Sequence, residues 1–342
     1  MPVQALPMPT SPAPYPSPDR SDLTLTTAAQ IGAALPYLLG FHPEQSIICL
    51  WLKDRQLVVT QRADAPDDEQ FTDYAGALFA PVHALDVDEV IVVYVTQEPA
   101  VSDELVRALA TDCPVPVRVH LHMRGARIRD CTPGSGDCAS WRWIGTHDRQ
   151  QAAACFAAPH TPEPVRTRQA VADELSYRPR DGEVESDGLL RHRIPLDDLM
   201  TALTSSPFRV SADVLWASVR SVAARDRVLW CSARMTMNDR RALLGSLVDA
   251  LARTPPGRAA PIAGATAVVA WLCGDGVRAN AAIDRCLTED PDNRMGTLIA
   301  GIVRHGVPPV ELESLLREMP EETLDGVECR VDGVRPSRYS SR

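Results

Sequence analysis

Along this chain the apolar positions move between a strand period and a helical period. They thin out at the start, in the middle and between residues 178 and 188. The first 20 residues hold seven prolines and almost no large aliphatic side chain. Such a segment cannot bury enough surface to offset chain entropy, so residues 1–22 read as a disordered, Pro-rich extension. From Leu23 the pattern tightens. Thr26 and Thr27 can cap a helix running to Leu35; Pro36 then opens a short turn, and Gly40 suits the left-handed position that ends it. Residues 47–52 and 57–60 read as two strands joined by an Asp54-Arg55 turn. Asp64 and Pro66 open a helix whose first turn holds Asp67, Asp68 and Glu69, matched to the positive helix end. Phe71, Tyr74, Ala75, Leu78 and Phe79 then form its apolar face.

Residues 90–95 are a continuous apolar strand of the kind covered on both sides. A helix over 102–110 and a strand over 115–121 follow. Strands alternating with helices after an opening hairpin predict an α/β domain over 23–180, with a mixed sheet and flanking helices. Between Arg124 and Gly145 no period holds. Residues 181–193 are polar and read as a linker. Beyond Ile194 the helical period takes over. Helices are predicted over 211–224, 238–253, 262–273, 277–287, 293–303 and 310–319, separated by Gly or Pro. They make an all-helical domain over 194–320 with a tail over 321–342. Residues 260–293 fit one 34-residue helical hairpin of tetratricopeptide type. Gly274 falls at its turn, Ala267 and Ala279 where the helices close up, Cys286 at a third small site, and Pro291 at its end.

Charge narrows the partners. The net charge of −10 argues against a dedicated nucleic-acid partner, which needs a basic face to displace phosphate counterions. From Arg62 to Asp112 there are 12 acids against two bases, and from Cys113 to Arg180 ten arginines against six acids. The two stretches can match within the molecule or offer a partner surface. Lys53 is the one lysine, and no phosphate-loop pattern surrounds it. Nine cysteines, an odd and scattered set, make no disulfide framework. With no secretory start and no bilayer-length apolar run, the expectation is a cytoplasmic protein with no membrane partner.

Candidate chemistry is sparse. His42, Glu44 and Ser46, with Arg62 across the hairpin, could form the lip of a ligand or partner site, together with Tyr37 and Phe41. As a catalytic centre they fail on geometry, because neighbours on an extended stretch point to opposite sides. Phe41 is expected to turn inward, with His42 and Glu44 outward. Cys131, Cys138, His147 and Cys155, near His120, His122 and His160, could supply zinc ligands, but no Cys pair has knuckle spacing, so no metal and no cofactor is expected. Trp141 and Trp143 beside arginines could stack on nucleic acid. Two tryptophans on one face of a short strand are expected in the core instead.

Three segments carry a resemblance. Pro36-Tyr37-Leu38-Leu39-Gly40-Phe41-His42-Pro43 with Ser46, Arg62-Ala63-Asp64-Ala65-Pro66, and Ala270-Trp271-Leu272-Cys273-Gly274-Asp275-Gly276 leading to Asp290-Pro291 resemble the actinobacterial domain-of-unknown-function family 4192 over residues 23–310. The resemblance implies no established activity. It also implies a Cys-rich loop after the third strand region. Here that loop has Cys131 and Cys138 with six residues between them and no adjacent pair, so no metal set carries over. The functional expectation is a non-catalytic protein-binding or regulatory module. The alternative is a small-molecule-binding or hydrolase-like domain with its pocket at the 41–46 loop.

Overall fold

A computed structural model of the chain describes residues 26–66, 71–80, 82, 85–96, 103–132, 140–156, 164, 167–178 and 194–324. The Pro-rich extension, the 181–193 linker, the tail beyond Leu324 and the acidic turn at Asp67, Asp68 and Glu69 lie outside those residues.

Helix α1 (Ala28–Leu39) begins with a capping box: the Thr27 hydroxyl accepts from the Gln30 N–H at 3.2 Å, and Gln30 Oε1 accepts from the Thr27 N–H at 3.2 Å. Its end differs from the sequence expectation. Pro36 starts no separate turn but sits inside the last turn of α1. Ile31, Leu35 and Leu39 are buried along α1, and that packing carries the helix across a residue that removes one hydrogen bond. Gly40 then closes it at φ 78°, its N–H bonded to the Pro36 carbonyl at 2.8 Å.

A six-stranded sheet follows: β1 (Ser46–Lys53), β2 (Gln56–Asp64), β3 (Glu89–Val95), β4 (Val117–Arg124), β5 (Arg127–Asp130) and β6 (Arg142–Trp143), in the order β2-β1-β3-β4-β5-β6. β3 and β4 are parallel, joined through helix α3 (Asp103–Asp112); the other neighbours are antiparallel. Helix α2 (Phe71–Phe79) and α3 pack on Ile47, Cys49, Trp51, Val92 and Tyr94. On the opposite face α1 and helix α4 (Thr146–Phe156) pack on Ile48, Leu50, Val93, Leu121, Met123 and Ile128. Burial from both sides is why β1 and β3 read as unbroken apolar runs. The sheet is mixed with flanking helices, as the sequence predicts.

Helices α6 (Leu196–Thr204), α7 (Ala212–Val219), α8 (Val222–Ser232), α9 (Met237–Ala252), α10 (Ala260–Leu272), α11 (Gly276–Glu289), α12 (Arg294–Arg304) and α13 (Pro309–Glu318) form the helical part. The single helix expected over 211–224 is two, because the chain breaks at Arg220 and Ser221. The α10–α11 hairpin is present: Gly274 turns at φ 74°, and Ala267, Ala279 and Cys286 are fully buried between the helices. Its setting is not that of a stacked repeat. α10 is buried at every residue except Pro261 and is packed by α7, α8, α9, α11, α12 and α13. It is the axis of a bundle and cannot line an open groove.

A short helix α5 (Arg168–Glu174) joins the two parts. Val171 enters the sheet-side core and Leu175 the helical core. Arg278 of α11, 5% exposed, reaches back to Glu174 at 2.6 Å while holding Asp275 at 2.6 Å. No helix among the described residues is long and apolar enough to cross a membrane.

Candidate functional site

The chain from Gly40 to Ser46 forms a corner between α1 and β1, and its neighbours fix it tightly. Phe41 is 2% exposed in the core shared with α1, and Tyr37 stacks on Phe156 of α4 with ring centroids 5.4 Å apart. Both are therefore packing residues on the helix side. The Ser46 hydroxyl is fully buried; it donates to the Glu44 carbonyl at 2.5 Å and accepts from Arg62 Nε at 2.9 Å. Arg62 continues to an ion pair with Asp64, whose carbonyl accepts from the Tyr74 hydroxyl at 2.7 Å. The Ala65 N–H closes the corner on the Gln45 carbonyl at 2.8 Å. His42 and Glu44 turn their side chains to solvent. Of the six sequence-predicted lip residues, Ser46 and Arg62 are brought together, His42 and Glu44 are displayed beside them, and Tyr37 and Phe41 support them from behind. A serine whose hydroxyl is held by a carbonyl and a guanidinium has no base to deprotonate it, so nucleophilic chemistry has no footing here.

The corner lies at one end of β2, the outer strand of the sheet. Among the described residues β2 pairs with β1 and has no strand on its other side along its nine residues. Alternate residues of such an edge turn both backbone groups outward. Val58, 40% exposed, marks its outer surface.

On the sheet face opposite Ser46, β4 buries two histidines. Tyr94 Oη is 2.7 Å from His120 Nδ1, and Thr96 Oγ1 is 2.8 Å from His122 Nε2. Arg129 Nη2 approaches His122 Nδ1 at 3.4 Å; a guanidinium only donates, so Nδ1 accepts and Nε2–H donates to Thr96. Burial lowers His120 to about 4 against the opposing pull of Asp130. Burial, then Arg129 and Arg124, lower His122 to about 4. Both rings are neutral near pH 7. Burial also pushes the thiols up: Cys231 and Cys286 to about 11 and Cys273 to about 12. None of these three is a thiolate nucleophile.

The residues weighed as zinc ligands do not converge among the described residues. His147 and Cys155 ride on α4, on the α1 side of the sheet, while His120 and His122 face the other way. Cys138 and His160 lie outside the described residues, among which no group of three or more His, Cys, Asp or Glu side chains could hold an ion.

A family model described as "Domain of unknown function (DUF4192)" matches residues 29–140 and 144–310. The chain belongs to the DUF4192 family. No curated protein and no solved structure matches it. All three motifs that carry the DUF4192 resemblance fall inside the matched ranges, and two of them meet in the corner through the Ser46–Arg62 hydrogen bond.

One expectation is overturned in this DUF4192 chain. Trp141 and Trp143 are not core residues: Trp143 is 65% exposed and Trp141 half-buried. β6 is a two-residue edge strand, and of the described helices the one packed on β5 is α1, on the far Ile128 side. Arginines stand over the tryptophans: Arg127 lies 4.6 Å from the Trp143 ring centroid and Arg129 4.9 Å from that of Trp141. His122 packs on Trp141 at 5.0 Å between centroids. Sequence reasoning missed this grouping because β5 and β6 are too short to show a strand period.

Proposed function

We propose that the protein is a non-catalytic protein-binding module, and that its partner adds an extended segment to the outer edge of β2. The carrying observation is that edge: nine residues without a strand partner among those described, running up to the latched 41–46 corner. Strand addition draws affinity from backbone hydrogen bonds and specificity from side chains at the ends. Here His42 and Glu44 stand at one end and the Asp54-Arg55 turn at the other. Asp54 and Asp73 are exposed nearby, while Asp64 is already paired with Arg62, so the complementary segment carries a basic residue.

The helical part supports a scaffold role. Its most repeat-like helix, α10, is enclosed by its neighbours and presents no open groove. The test is co-purification from cells of the source organism with wild type and with Val58→Lys combined with Thr60→Lys. A stoichiometric partner held by wild type and absent from the folded double variant supports the reading. Equal recovery from both removes the β2 edge as the site.

A further inference from the structure

We infer that the outer half of the sheet, on the face of His122, binds single-stranded nucleic acid. Directly opposed residues of an antiparallel pair share a face, and the register opposes His122 to Arg129, Arg124 to Arg127 and Arg127 to Trp143. Trp141 joins them through its contacts with His122 and Arg129. Trp141 precedes β6 and lies two positions from Trp143, and residues two apart in extended chain stand about 7 Å apart, a spacing open to successive bases of a single strand. Arg124, Arg127 and Arg129 surround them.

Among the described residues none of the three has a carboxylate within ion-pair distance, whereas Arg118, on the same β4, is held by Glu89 at 2.9 Å. Arg129 Nε is buried with no hydrogen-bond partner among those residues. Leaving an arginine N–H so placed costs stability unless a ligand oxygen meets it. The molecule elsewhere shows what a structural Arg–Trp pair looks like. Arg220 covers Trp216, which is 2% exposed. Arg234 lies over Trp230 with its N–H groups committed to the carbonyls of Trp230, Leu316 and Arg317. Trp143 is neither buried nor braced in this way. A net charge of −10 disfavours long polyanions, so the strand engaged is short and the contact depends on stacking as much as on charge.

The test is fluorescence anisotropy of a labelled single strand, oligo(dT) of about 12 nucleotides, with the full chain at low salt. The expected result is saturable binding that Trp143→Ala weakens about tenfold or more while Trp143→Phe, which keeps a stacking face, retains most of it. Arg124→Ala with Arg127→Ala should weaken binding and flatten its salt dependence by about 0.7 for each phosphate no longer neutralised. Trp143 is exposed, so melting of the variants checks that the fold persists. No binding at low salt, undiminished binding by Trp143→Ala, or equal affinity for a duplex or for free thymidine monophosphate overturns the inference.

Discussion

Gly40 and Arg62 hold the corner by different means, and the residues around them make distinct predictions. At φ 78° Gly40 occupies backbone space that a Cβ disfavours, while the nearest atom to such a Cβ, Arg278 Nη1, lies 4.0 Å away. The penalty for Gly40→Ala is therefore conformational and not steric, about 1 kcal/mol, read as a lowered denaturation midpoint. His42→Ala removes an exposed side chain and should stay within about 0.5 kcal/mol of wild type in the same experiment. Partner binding should fall all the same. The buried histidines give a pH prediction. His120 and His122 titrate near 4 when folded, against about 6.5 when unfolded. Between those values the unfolded chain binds more protons, so stability is full above about pH 6.5 and falls as pH drops toward 4. Chemical denaturation across that window should show the loss, and His122→Gln should make it shallower. An unchanged slope would mean that His122 is not held neutral.

Elements meet where small residues allow it. At Gly296 of α12 an added Cβ would lie 2.8 Å from Cys286 Sγ and 2.9 Å from Leu287 Cδ2, so those buried or half-buried side chains of α11 must shift. Gly296→Ala should cost about 1–3 kcal/mol. Gly245, in the middle of α9, has nothing within 4 Å of an added Cβ, and Gly245→Ala should stabilise by about 0.5–1 kcal/mol. Thermal melts of the pair separate close packing from helix propensity. The same contrast explains what the sequence made legible. β1 and β3 are unbroken apolar runs and α9 is a 16-residue helix, so they could be read directly. β5 and β6 have four and two residues, rich in arginine and tryptophan, and take their place only from pairing with β4. The corner was legible because Gly40, Pro43 and Ser46 each carry a local instruction. The latch between Ser46 and Arg62 was visible only as proximity across a hairpin. The grouping of His122, Arg129 and Trp141 depends on register and was not legible.

At the scale of the whole molecule, Arg278 is the joint. The residue is 5% exposed, and its guanidinium binds the carboxylate of Asp275, which caps its own helix, and that of Glu174 from α5, so it ties the helical bundle to the segment leading from the sheet. Arg278→Ala leaves Glu174 and Asp275 without their cation and should cost about 3 kcal/mol. Calorimetry should then resolve two transitions where wild type gives one, since the bundle and the sheet have separate cores. Among the described residues the sheet has two unpaired edges, β2 and β6, on opposite sides. The β2 edge is the one proposed to take a protein partner. Its most direct test is a photo-crosslinking residue placed at Val58, with Leu298 on α12 as control, in cells of the source organism. Strand addition at β2 predicts one discrete protein adduct from Val58 that is absent from Leu298 and abolished by His42→Ala with Glu44→Ala. No adduct from Val58, or the same adducts from both positions, would contradict it.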